Sequence, residues 1–244
     1  MILIIGSAHD DILYFDAIMS NKKKEMILNK FDASIGTIFN QDVLLVYNSF
    51  TSLLSSSIVS HILTKYYIDL VIVVGKCLSL SKDLKLGDIV TATRVINANI
   101  DLLEKRNVVV GQIPNCPRDF KCSLDVNTYI IEGLNRRTYT TAKNATFLSS
   151  DTKMSILNDN KNLFNLNDSH VIDFNSGGIA LACYLHQVPF TSVKVVEQVY
   201  GEENNIDSYL KVLDKYVALG KGIVSAIGDI GRNDVLIIGG GNNL

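Results

Sequence analysis

The 244-residue sequence is short of the features that mark membranes, secretion and nucleic-acid binding. Its longest apolar runs, such as Leu70 to Val74, are strand-sized and fall well below the roughly 20 residues that span a bilayer. The opening MILIIGSAHDD lacks a basic start and meets acids early, so it reads as a first strand rather than a signal peptide. Neither charge sign is in excess: 23 Lys and Arg against 25 Asp and Glu leave a net charge of −2. That balance gives no support to nucleic-acid or membrane-surface binding. Cysteine is sparse. Cys77, Cys116, Cys122 and Cys183 are separated by 39, 6 and 61 residues, which matches no zinc pattern, and no CxxC occurs. Free thiols in a reducing cytoplasm are favoured over a disulfide or metal site, and no cofactor is expected. There is no internal repeat, linker or low-complexity tract.

What is present suits a folded domain. Hydrophobic residues make up 47% and charged residues 20%, enough for a substantial core and against long disorder. Residues 1–6 form an apolar run, and Asp10 and Asp11 open a helix-like stretch. Residues 35–39 and 43–47 flank the turn-like 40–42, which predicts a hairpin. Leu53, Leu54, Ile58, Ile62 and Leu63 fall on helical spacing within 51–66. Residues 70–75 then read as a strand buried on both faces. Further strands are predicted at 87–95, 145–149, 171–174 and 190–196, with helices at 124–134 and 179–186. A long amphipathic helix at 209–227 offers Leu210, Leu213, Val217, Leu219 and Ile223 to one face.

Strands alternating with helices predict a mainly parallel sheet with helices on both sides. Residues 1–230 are expected to form one soluble domain, although length alone permits two. The end, 231–244, reads as a tail whose DVLII stretch suits an added strand or a frayed end.

One segment is far more specific than any of this. Residues 111–121, GQIPNCPRDFK, hold two of the chain's three prolines and are expected to form a structured loop. They resemble a loop of the methylthioadenosine/S-adenosylhomocysteine nucleosidases, GQxPxCPxxFK, within the purine-nucleoside phosphorylase and nucleosidase superfamily. LKLGDIV at 84–90 resembles that family's LKxGDIV strand, and Val188-Pro189-Phe190 its VPF lead-in to the last sheet strand. LIIGSAHDD at 3–11 resembles its strand-to-acid turn. The likeness runs from about residue 1 to about residue 228. It implies a three-layer α/β/α fold around a mixed, partly barrel-like sheet of the nucleoside phosphorylase type, and a homodimer in which Pro114 approaches a partner's ligand. The implied reaction cleaves the bond between adenine and a thio-substituted ribose, with water as acceptor and a purine nucleoside as the small-molecule ligand.

That reaction needs an acid for the leaving purine, a base for water and acceptors for the ribose hydroxyls. Each acid or base service contributes about 10²–10⁴-fold. By the resemblance, the water-activating carboxylate falls at Asp11, whose other reading is a helix cap. The leaving-group acid falls at Gln198, where an amide cannot release a proton. Glu197 is adjacent, yet neighbours on a strand face opposite ways, so it substitutes only if the strand ends or slips by one. The ribose-binding acid falls at Asn175 in Asp173-Phe174-Asn175, a residue that suits a helix N-cap equally well. The purine-stacking position falls at Lys153, beside Met154, and the GSAGG turn reads Gly75-Lys76-Cys77-Leu78-Ser79. Lys76 and Lys153 are surface charges if taken singly. Taken together they suit an anionic ligand.

Three functions compete. The family's nucleosidase activity is the primary expectation. A catalytically impaired relative that binds a nucleoside or nucleotide as sensor or partner is the alternative, since loss of the acid alone removes about 3–5 kcal/mol of transition-state stabilisation. Phosphorolysis, with Lys76 holding phosphate, is least supported. All three require residues 11, 175 and 198 to converge.

Overall fold

A strand made wholly of apolar residues is stable only where both sheet faces are covered. Strand β1 (Ile2–Gly6) and the first half of β5 (Leu70–Ser79) are of this kind, and they pair in parallel with Ile4 opposite Ile72. The computed structural model describes residues 1–98, 100, 109–152, 171–202 and 206–232, with side chains of 206–211 and 232 excepted. On the far side of β1 lies β4 (Gln41–Val46), also parallel, followed outward by β3 (Phe31–Ile38) and β2 (Ser20–Ile27).

The predicted hairpin is β3–β4, closed by Phe39 and Asn40, both with positive φ, 49° and 65°. Two consecutive left-handed residues match the right-handed twist of paired strands. Strand β2 was not predicted. Its SNKKKEMI sequence is polar and mostly exposed, which is how an edge strand discourages pairing with other chains.

On the other side of β5 the sheet closes on itself. β10 (Phe190–Val199) pairs with β5 in parallel and with β6 (Ile89–Asn97) antiparallel. β6 continues to β8 (Ala142–Ser149), then β9 (Val171–Asp173), which returns to β5. These five strands form a ring, and the short β7 (Asp119–Lys121), within the proline-containing segment, pairs with β6.

Helices cover both faces. Ile58 and Ile62 of α2 (Ser52–Lys65) pack with Ile179 and Cys183 of α4 (Ser176–His186) over Leu3, Ile5, Val71 and Val73. Ile12 of α1 (His9–Ile18), Ile130 of α3 (Leu124–Thr138) and Ile223 of α5 (Ile206–Arg232) cover the opposite face with Ile2, Ile4 and Ile72. The result is the expected three-layer α/β/α arrangement around a mixed sheet. On α5 the buried stripe is Val212, Leu219, Ile223, Ile227 and Ile230, whereas Leu213 and Val217 are exposed. Each of those two follows a residue of the inward face and is rotated off it by about 100°. No described helix is long and apolar enough to cross a membrane. Residues 233–244 of the tail lie outside the described residues.

Candidate active site

Parallel strands bring their carboxyl ends, and the loops after them, to one edge of the sheet. Here that edge collects the turn after β1, the loop after β4, the middle of β5 and the end of β10. The first two are tied together by Asn48 N donating to Ser7 O at 3.1 Å and Ser49 Oγ donating to Gly6 O at 2.8 Å.

Asp11 sits in the first turn of α1, 4% exposed. Its Oδ2 accepts from the backbone N–H groups of Ser7 and Ala8, each at 2.9 Å, so it does secure the helix start. Its Oδ1 is buried and accepts no hydrogen bond of ordinary length among the described residues, and the Tyr216 hydroxyl, likewise buried, lies close enough to the Asp11 carboxyl to interact with it. Burial raises the carboxyl above the ordinary aspartate range; the Ala8 amide, Lys194 and Lys76 oppose that shift.

Lys194, from the centre of β10, is 1% exposed. Its ammonium donates to Asn175 Oδ1 at 2.8 Å and lies 3.4 Å from Asp173 Oδ2. A buried charge must be paired and hydrogen-bonded, and this one is. Asp173 also accepts from the backbone N–H of Ser176 at 3.3 Å and from the Ser176 hydroxyl, so Asp173 caps α4. Asn175 is the N-cap residue, yet its side chain makes no cap bond. Its amide instead donates to Ser7 Oγ at 3.1 Å and Ser49 Oγ at 2.9 Å. Asp11 and Asn175 are therefore linked through Ser7.

Gly75 makes this crowding possible. Its φ is +143°, and a Cβ there would lie 3.2 Å from Asp11 Oδ2 and 3.4 Å from Lys194 Nζ. The segment 75–79, where the resemblance implies a turn, continues β5, paired with β10 and β9.

The strand slip that would free Glu197 from the alternation is present. β10 shifts register against β5 between Val196 and Gln198, leaving Glu197 as the extra residue. A bulge of this kind re-aims a side chain. Glu197 Oε2 comes within 3.6 Å of Lys76 Nζ, and Lys76 also lies 5.9 Å from the centre of the Tyr216 ring on α5. Burial raises Glu197, with Lys76 opposing and Asp11 reinforcing. The Tyr216 hydroxyl is buried and held protonated, by burial first and then by the charges of Asp11 and Glu197. Gln198 follows the bulge and is exposed, and no described contact joins it to Asp11 or Asn175, so of the three positions expected to converge the described contacts link only Asp11 and Asn175.

The remaining candidates are scattered. Phe174 is 56% exposed, with its carbonyl accepting from Ser52 Oγ at 3.3 Å. Pro114 is exposed, and Lys153 and Met154 lie outside the described residues. Cys77, Cys122 and Cys183 are buried and unpaired, and burial pushes their thiols up. Sequence reasoning missed Lys194, Ser7, Ser49 and Tyr216. Lys194 carried a signal: a lysine within the apolar TSVKVV stretch of a central strand needs a buried partner.

This arrangement, a buried carboxylate and a fixed ammonium both close to Gly75, lies where the strand ends meet. A family model described as Phosphorylase superfamily matches residues 9–227. The chain belongs to that superfamily. A 5′-methylthioadenosine/S-adenosylhomocysteine nucleosidase of Bacillus cereus (strain G9842) is 20% identical over 227 residues, covering 88% of this chain and 92% of the relative. Among solved structures, a putative nucleosidase of the same name from Borrelia burgdorferi, bound to adenine, is 20% identical. It superposes with a TM-score of 0.80 over 93% of this chain and 99% of the other. The Neisseria meningitidis nucleosidase in complex with methylthio-immucillin-A is 18% identical, with a TM-score of 0.82 over 93% and 98% of the two chains. At such identity the structures establish the phosphorylase-superfamily fold and not the ligand.

Proposed function

We propose that this superfamily member hydrolyses the N-glycosidic bond of a purine nucleoside of the methylthioadenosine or S-adenosylhomocysteine type. One observation carries the reading: Asp11 has one carboxylate oxygen fixed by two backbone amides and the other buried with no bond of ordinary length, the Tyr216 hydroxyl being its neighbour. A base so placed can take a proton from water without reorganising. The names of the curated relatives, and the adenine and methylthio-immucillin-A bound to two of the solved structures, supply the substrate class.

In this scheme a water held at Asp11 Oδ1 attacks the anomeric carbon and gives its proton to Asp11. The carbon–nitrogen bond breaks with its electron pair passing to the purine. Glu197 serves as the leaving-group acid in place of Gln198, because the bulge takes it out of the strand alternation to Lys76 and burial favours its protonated form. Asn175 already gives both amide hydrogens to serines, so it positions Ser7 and Lys194 and does not donate to the ribose. Two copies associate, with the Pro114 loop approaching the partner's site. Exposed Phe50, Leu53, Phe174 and Leu185, on and beside the packed α2–α4 pair, offer apolar surface for that contact. The buried free thiols suit a reducing cytoplasm.

The test is adenine release from methylthioadenosine and S-adenosylhomocysteine by the purified chain, with and without inorganic phosphate. Equal release in both conditions is expected. Release only with phosphate would make the enzyme a phosphorylase, and no release in either would leave a binding protein.

A further inference from the structure

Glu197 is faced by Lys76 and Cys77 from β5, Asp11 from α1, Lys194 from its own strand and Tyr216 from α5. The two cations differ in their commitments. Lys194 is fully buried and engaged by Asn175 and Asp173. Lys76 is 32% exposed and Glu197 44% exposed, so their 3.6 Å ion pair sits where an incoming ligand can reach it. The Tyr216 ring, 5.9 Å from the ammonium, gives this flexible side chain a second point of attraction.

We propose that Lys76 is a positioning residue acting as a counter-ion clasp: it holds Glu197 ionised and in place while the site is empty, and a bound purine displaces it. The inference rests on the nucleosidase reading. Once the clasp is displaced, Glu197 takes a proton from solvent. On cleavage that proton passes to the purine nitrogen as the glycosidic electron pair arrives there. The proton from the attacking water goes to Asp11 and then to solvent. Burial of Glu197, which Lys76 opposes, drives the proton uptake.

The experiment uses the full chain and the variants Lys76→Met and Lys76→Arg. The Glu197 carboxyl is titrated by carbon-13 NMR without ligand, its resonance assigned with Glu197→Gln. Adenine binding is then followed by calorimetry in buffers of different ionisation enthalpy, which reads net proton uptake. Lys76→Met should move the Glu197 midpoint to higher pH, and Lys76→Arg should restore it. Wild type should take up a proton on binding adenine near neutral pH, and Lys76→Met distinctly less. An unchanged midpoint in Lys76→Met, or adenine binding to wild type with no proton uptake, overturns the clasp while adenine release leaves the nucleosidase reading intact. A shifted midpoint with no adenine binding at all instead overturns the nucleoside reading, and displacement by purine with it.

Discussion

Replacing Lys194 by methionine removes one half of a fully buried ion pair while preserving most of the side-chain volume. Lys194 and Asp173 are each 1% exposed, so solvent cannot compensate the aspartate left behind. Breaking a buried pair on one side costs about 3–5 kcal/mol. Asp173 keeps its bonds to Ser176, which places the expected loss near the lower end of that range. For a chain of this size each 1 kcal/mol moves Tm by about 2–4 °C, so a fall of roughly 6–12 °C is expected. The double variant Lys194→Met/Asp173→Asn leaves neither half of that pair charged and should recover most of that loss. Thermal and urea unfolding of wild type, both single variants and the double variant measure the cycle. If Lys194→Met is as stable as wild type, or the double variant no better than the single, the pair does not carry the charge balance assigned to it.

Asp11→Asn should lower adenine release by about 10²–10⁴-fold, the usual worth of a general base. Because burial raises the folded-state pKa of Asp11, its contribution to stability is full below the ordinary value of 3.8 and is lost as pH rises through the raised value. The same substitution should therefore leave thermal stability at pH 7 unchanged or increased, and a clear loss there would contradict the sign. Glu197→Gln should cost about 10²-fold in turnover and Gln198→Ala less than about tenfold; the reverse order would return the leaving-group role to Gln198. Gly75→Ala places a Cβ against Asp11 and Lys194 at φ +143°. It should cost about 1–3 kcal/mol of stability, with loss of adenine release. An alanine tolerated in both assays would show that the crowding is not needed.

The order of elements, the α/β class and the family were legible in the sequence. Apolar runs and helical spacing report local burial, and the GQIPNCPRDFK segment is long enough to be specific. Where the reading failed, non-local pairing was responsible. Polar β2 forms because β3 offers it an edge, and Leu213 is exposed because α5 meets the sheet along an adjacent stripe. Asp11 and Asn175 were nameable as candidates; Lys194 carried only a signal of burial, and its bond to Asn175 is a product of the tertiary structure.

What the sequence determined by itself is which residue types stand near each strand's carboxyl end, since that depends only on position along the chain. Tertiary structure alone decided which of them meet. The bulge in β10 takes Glu197 out of the strand alternation and brings it to Lys76, and Gly75 lets a carboxylate and an ammonium approach one backbone point. Both outcomes depend on the register between β5 and β10, strands separated by more than 100 residues, and no local pattern encodes it.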